Sequence, residues 1–107
     1  MGWKKEQTIT IGSGGTKSGL ADIGDCKHVG FEIPAIDTAV CYLIVSSNGG
    51  TTTRRVQKED GSDDLTLASG AGGKYWQIQM PISHPFVGIE TSAAQSSGAV
   101  TIKVFSK

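Results

Sequence analysis

The chain has 107 residues, of which 37 % are hydrophobic and 15 are glycine, so the sequence predicts one domain with a single core and many turns. Ten basic and ten acidic side chains cancel to a formal net charge of zero, which argues against nucleic acid or an anionic membrane as a partner. No apolar run approaches the roughly 20 residues that a membrane-spanning helix needs.

The first five residues are predicted to form an N-terminal arm ahead of a single domain that spans residues 6–107. Trp3, Lys4 and Lys5 precede any alternating pattern. A large aromatic side chain in a polar arm has nothing local to pack on, so it docks against another chain or packs back onto its own domain. Trp3, Lys4 and Lys5 are therefore the candidate partner-binding residues. The segment also lacks the apolar core of a secretory signal, which predicts synthesis in the cytoplasm.

Alternation of apolar and polar residues predicts about eight short strands and no helix. The predicted strands cover residues 6–11, 27–33, 40–45, 51–56, 65–68, 74–80, 86–91 and 99–105. Pro34 lacks a backbone donor and is expected to end the second of them or to mark it as an edge strand. Short strands at regular spacing indicate an all-β sandwich of antiparallel strands, in either jelly-roll or immunoglobulin-like topology.

The clearest element is the apolar run Val40–Val45, which is followed by Asn48 and Gly49. Because the run has no polar alternation, we expect both of its faces to be covered, one by a facing sheet and one by a loop or a neighbouring subunit. Asn-Gly is a strong signal for a tight hairpin turn, so the segment Thr51–Val56 is predicted to return antiparallel to the run.

The acidic loop 59–64 is the best candidate for a metal site. Its oxygen-bearing residues Asp60, Ser62 and Asp64 alternate as the ligands of a calcium loop do, with Asp60 as the first position. The twelfth position of such a loop is Ala71, where a bidentate glutamate is required, so the loop is interpreted as a solvated hairpin end. His28 and His84 are the only histidines and do not form a ligand-spaced cluster. No nucleophile elbow is present. The sequence thus predicts no catalytic residue, no metal, no cofactor and no enzymatic activity.

Two further pairs of residues have open interpretations. Cys26 and Cys41 are expected to be free thiols, with Cys41 buried, and a disulfide between them is the alternative. Arg54 and Arg55 are adjacent on a strand and point to opposite faces, so one is expected to pair with a carboxylate or a partner subunit.

The aromatic residues near the middle of the chain suggest a sugar-binding alternative. Alternation places Trp76 inward together with Ile78 and Met80, and it places Tyr75 outward. An exposed ring of this kind can stack on a sugar, although a single ring makes a small platform.

Taken in order, these features resemble a group of small tailed-phage and prophage β-sandwich proteins. That group has an apolar strand running into a Ser-x-(Asp/Asn)-Gly-Gly-Thr-Thr hairpin, then a middle strand. A segment with Pro, Phe and Val or Leu in that order follows, and a polar turn precedes the last strand. The corresponding segments of this chain are Leu43–Thr52, Tyr75–Ile78, Pro85–Ile89, 91–98 and 100–102. The chain departs from the common form at Thr53, where that group has an aromatic residue.

The resemblance implies a structural protein of the virion, similar to capsid decoration (cement) proteins, that is made in the host cytoplasm. Its partners would be the major capsid protein or other virion subunits, together with further copies of itself in a homo-oligomer. One alternative is a carbohydrate-binding or host-adhesion module of a phage tail or fibre, whose binding would depend on Tyr75. Another is a small hydrolase whose activity would depend on His84.

Overall fold

The computed structural model describes residues 5–34, 36, 40–49, 52–58, 61, 63–67, 74–78, 82–95 and 98–107. Within them, nine strands form two antiparallel sheets, which confirms the predicted all-β sandwich. The strands are β1 (Lys5–Ile11), β2 (Ala21–Asp22), β3 (Val29–Ile33), β4 (Cys41–Ser46), β5 (Arg54–Arg55), β6 (Thr66–Leu67), β7 (Lys74–Gln77), β8 (Phe86–Thr91) and β9 (Val100–Ser106). The part of the chain that the structure describes holds no helix long and apolar enough to cross a membrane.

The strand order is that of a jelly roll. The first sheet has the order β1-β9-β3-β7, and the second has the order β2-β8-β4-β5, with β6 also pairing with β4. Successive strands lie in alternate sheets except for β4, β5 and β6, which all lie in the second sheet. There β5 and β6 both pair with β4. When β5 and β6 are taken as one interrupted strand, this order is the double Greek key of an eight-stranded jelly roll. The chain therefore has the jelly-roll topology, one of the two topologies that the alternation of residues could not distinguish.

The core lies between the sheets and is built from the inward positions of their longer strands. The buried residues of β1, β3, β4, β8 and β9 are Ile9, Ile11, Val29, Phe31, Ile33, Cys41, Leu43, Val45, Val87, Ile89, Val100, Ile102 and Val104. Alternation predicted these inward positions in β1, β3 and β9. Ile78 is buried and Trp76 packs against the same core, as predicted, whereas Met80 lies outside the described residues.

The expectation that both faces of the apolar run Val40–Val45 are covered is confirmed from Cys41 to Val45, whereas Val40 precedes β4 and is 43 % exposed. Leu43 and Val45 belong to the core, whereas Ile44 points to the outer side of the second sheet and is only 1 % exposed. The segment Lys17–Leu20 lies beside Ile44 on that side. A loop of the same chain therefore provides the second cover.

The prediction of a tight turn at Asn48 and Gly49 is wrong. A two-residue turn there would place Val45 opposite Thr52, but Val45 pairs with Arg54, so the connection runs over residues 46–53. The strand β4 stays paired with β8 as far as Ser46, which lies opposite Phe86. This pairing keeps the chain extended for one residue longer than the apolar run, and only two residues of the return strand then pair with β4.

The predicted boundary between the arm and the domain also needs correction at Lys5. Lys5 is the first residue of β1 and lies opposite Ser106, because β9 is seven residues long and pairs with β1 along its whole length. Trp3 and Lys4 lie outside the described residues.

Candidate functional site

The outer face of the first sheet carries an aromatic pair, the exposed Tyr75 and the partly buried Phe105. Phe105 on β9 lies opposite Gly30 on β3, and Tyr75 on β7 lies opposite Glu32, which is two residues further along β3 and therefore on the same face. The rings of Tyr75 and Phe105 meet edge to face, with centroids 5.9 Å apart and planes at 64°. Because Gly30 has no side chain, the two rings can approach each other across it. Tyr75 is 49 % exposed, in agreement with its predicted outward position.

Polar and charged side chains frame this pair, and together with Tyr75 and Phe105 they form what we call the aromatic face. The frame consists of exposed residues that the register places beside the rings, namely Glu6, Thr8, Glu32, Gln77 and Lys103. No ion pair joins the three charged members to one another or to any other described residue. The face thus offers an apolar surface for stacking, with unused donors and acceptors around it.

The sequence predicted only half of this surface. It placed Tyr75 outward but did not single out Phe105. The feature that marks Phe105 is its position two residues after Lys103, which also points outward. Its neighbour on the adjacent strand is a glycine. Recognising it requires the register between β9 and β3, which the sequence alone does not provide.

Lys5 is directed towards the second sheet. Its Nζ donates to the backbone carbonyl of Asp22 over 3.4 Å, and Gln7 Nε2 donates to the same oxygen over 2.6 Å. These two side chains connect β1 to β2 across the gap between the sheets. Among the three predicted partner-binding residues, Lys5 is therefore the one with a described position, and that position lies at this junction.

Arg55 forms a polar cluster on the outer side of the second sheet. Its guanidinium carbon lies 3.9 Å from the centroid of the Tyr42 ring, and its Nε and Nη1 donate to Glu90 over 2.8 Å and to Asp64 over 3.1 Å. The hydrogen bonds to Glu90 and then to Asp64 raise the pKa of Arg55 above its ordinary value. Arg55 is thus the arginine that pairs with carboxylates, as expected for one of the two.

The contacts of Arg55 also involve Asp64, which belongs to the predicted calcium-like loop 59–64. Asp64 accepts from Arg55 with one carboxylate oxygen and from Gln57 with the other, so both oxygens are used within the fold. Asp60 and Ser62, the other two oxygen-bearing positions of the pattern, lie outside the described residues. No group of three or more His, Cys, Asp or Glu side chains that could hold a metal occurs within the described ranges.

The two histidines lie in separate clefts, and Cys26 lies beside His28. His28 lines a shallow cleft with Asp25, Cys26 and Lys107, whereas His84 lines another with Arg54. Both cysteines are free thiols, so the disulfide alternative is not realised. Burial raises the pKa of the Cys41 thiol to about 11, which keeps it protonated at neutral pH.

Comparison with known proteins shows the fold and no family. No protein-family model matches the chain, and no curated protein matches it. The chain is similar to the IMPa metallopeptidase solved in complex with T-antigen, with a TM-score of 0.51, 16 % identity and 99 % of this chain covered. It spans only 13 % of the length of that protein. At this identity and coverage, the likeness supports the sandwich fold and says nothing about activity.

Proposed function

We propose that the chain is a structural protein of a tailed-phage particle that decorates the capsid and binds it through the aromatic face. The observation that carries this proposal is the ring contact between the half-exposed Tyr75 and the partly buried Phe105 on the outer face of the first sheet, framed by charges that have no ion-pair partner within the described residues. Tyrosine and other aromatic residues are enriched at the centres of protein interfaces.

Two further observations support the same proposal. The jelly-roll order is found in viral capsid domains, as well as in lectins. Residues 20–105 also resemble tailed-phage structural proteins in the order of their segments. The partner would be the major capsid protein or another virion subunit, and the chain would act in the virion after synthesis in the host cytoplasm.

The role proposed is one of binding, without catalysis. A decoration protein that contacts neighbouring capsid subunits binds the assembled shell better than the separate subunits, and this difference stabilises the shell by mass action. Tyr75 is the side chain on which such binding would depend most, because it is both aromatic and half exposed. Truncation of an aromatic residue at the centre of an interface costs about 2 kcal/mol or more, which corresponds to roughly a 30-fold loss of affinity.

The test is co-sedimentation of the purified chain with phage heads from cells that encode it. We expect wild type to sediment with the heads and Tyr75→Ala to lose roughly 30-fold in affinity. Tyr75→Phe keeps the ring and should retain most of the binding. The matched control is Val40→Ala, since Val40 is also an exposed apolar residue, at 43 %, but lies off the aromatic face. Wild-type chain that stays in the supernatant would contradict the proposal.

A second candidate is a carbohydrate-binding or host-adhesion module of a phage tail or fibre. It is favoured by the same half-exposed Tyr75 ring, beside which Glu32 and Gln77 could hydrogen-bond to sugar hydroxyl groups. A glycan array distinguishes the two functions, because this one predicts a defined glycan that binds wild type and Tyr75→Phe but not Tyr75→Ala. Absence of binding to every glycan would leave the capsid as the partner.

A further inference from the structure

The strand β1 forms an edge of the first sheet with backbone groups that face away from it. The carbonyl of Thr10 accepts from the Gly19 N–H over 3.2 Å, so the backbone of Thr10 points away from β9. In an extended strand the backbone groups of alternate residues point to the same side. Glu6 and Thr8 must therefore also direct their N–H and C=O groups outward, and no described residue bonds to those groups.

We propose that this edge pairs antiparallel with β1 of a second copy of the chain, about a twofold axis that passes through Gln7. Glu6 would then lie opposite the partner's Thr8, and Thr8 opposite the partner's Glu6. Each of these is a hydrogen-bonded pair that exchanges two N–H···O=C bonds, so the outward groups of Glu6 and Thr8 are satisfied in both copies. The two four-stranded sheets would join into one continuous sheet.

Charge favours this register over its neighbours. Across the first sheet, Thr8 lies beside Lys103, and Lys103 lies beside Glu32. The proposed pairing places Glu6 next to the partner's Thr8, a short side chain over which Glu6 can reach the partner's Lys103. Two such contacts form by symmetry, and they use charges that have no ion-pair partner among the described residues. An axis at Glu6 would instead bring two glutamates face to face, which is unfavourable.

The pairing uses Glu6, Thr8 and Lys103 at one side of the aromatic face but leaves the Tyr75 ring available. Tyr75 is on β7, at the opposite edge of the first sheet, three strands away from β1. Joining two copies through β1 therefore places two aromatic faces on the same side of one sheet. The inference goes beyond the proposed function, since it concerns contact between copies whatever the partner of the aromatic face is.

The first test is sedimentation velocity over a range of concentrations. We expect wild type to form a dimer and Thr8→Pro to weaken it at least about tenfold, because proline removes an outward N–H from each copy and leaves the pairing with β9 intact. The control is Thr8→Ala, which keeps the N–H and should still dimerise. A circular dichroism spectrum and thermal midpoint close to those of wild type would show that Thr8→Pro still folds.

The second test uses charge reversal. Glu6→Lys and Lys103→Glu should each weaken the dimer several-fold, because each variant places like charges together at both symmetric contacts. An equimolar mixture of the two variants should form a heterodimer, in which both contacts are again between opposite charges. This recovery depends on contacts between copies, so an ion pair within one chain could not produce it.

The outcomes separate this inference from the proposed function. A wild-type chain that is monomeric at every concentration, or a Thr8→Pro variant that dimerises like wild type, would overturn the β1 pairing. A trimer would overturn it as well, because the pairing has twofold symmetry. A β1 dimer that does not sediment with heads would keep the inference and contradict the capsid role.

Discussion

Replacement of Gly88 by alanine should strongly destabilise the fold, because a loop crosses β8 at this residue. Gly88 lies opposite Ile44 in the centre of the second sheet. A Cβ atom at position 88 would lie 2.9 Å from Leu20 Cδ2 and from Ser18 Oγ, and 3.0 Å from the carbonyl oxygen of Gly19. Real Cβ atoms essentially never approach other atoms closer than 3.0 Å, so the side chains of Leu20 and Ser18 would have to shift and the backbone of the segment 18–20 would have to give by a few tenths of an ångström at Gly19.

Moving that segment breaks the hydrogen bonds that hold it in place. The Ser18 N–H donates to the Ile89 carbonyl over 2.9 Å, and the Ile89 N–H donates to Ser18 Oγ over 2.9 Å. Overpacking costs about 1 to 3 kcal/mol, and each lost hydrogen bond costs about 1 kcal/mol. The lower entropy of the unfolded alanine variant offsets roughly 0.4 to 1 kcal/mol. We therefore expect Gly88→Ala to lower the free energy of unfolding by about 2 to 4 kcal/mol.

Urea denaturation followed by tryptophan fluorescence measures this difference. The matched control is Gly19→Ala in the crossing loop, since a Cβ atom there would meet no other atom within 4 Å. This control should stay within about 0.5 kcal/mol of wild type. A Gly88→Ala variant as stable as the control would refute the packing of the loop on β8. It would also refute the view that this loop covers the outer side of Ile44.

Three further predictions concern a hydroxyl, a thiol and the N-terminal segment. Ser106 Oγ is buried and has no hydrogen-bond partner among the described residues, so Ser106→Ala should leave the free energy of unfolding unchanged or raise it by up to about 1 kcal/mol, without lowering the thermal midpoint; a clear loss would contradict this. The pKa of Cys41 is raised by burial from 9.0 to about 11, so stability should be constant below pH 9 and fall as the pH rises towards 11, where the unfolded chain releases this proton first. Urea denaturation of Cys41→Ala at a series of pH values should lack the part of the decline in stability that Cys41 produces. An equal decline in both proteins would show that Cys41 is not its cause. Deletion of residues 1–4 should preserve the sandwich, since β1 begins at Lys5, and should weaken co-sedimentation with heads if the predicted partner-binding residues Trp3 and Lys4 contact them; unchanged binding would remove these two residues from the candidates.

Alternation located strands such as β1 and β9 because each of them has one face in the core and the other exposed. In β9, for example, Val100, Ile102 and Val104 are buried, whereas Thr101 and Lys103 are exposed. This local pattern depends only on the strand being extended with one side covered, so a single sequence is enough to recognise it. It also predicted that Tyr75 points outward.

Features that depend on contacts between distant segments were not predictable in the same way. The two-residue strand β2 is a strand because it pairs with Val87 and Phe86 on β8. The loop at residues 46–53 replaced a tight turn because β4 stays paired with β8 through Ser46. The jelly-roll order and the Tyr75–Phe105 pair likewise follow from the register between strands far apart in the sequence.

The most direct test of the capsid role is to locate the chain on phage particles. Particles from cells that encode the chain can be purified on a density gradient, analysed by mass spectrometry and labelled with immunogold for electron microscopy. The account predicts that the chain purifies with the particles and that the gold label lies on the heads. Particles that lack the chain, or a label confined to the tails, would contradict it.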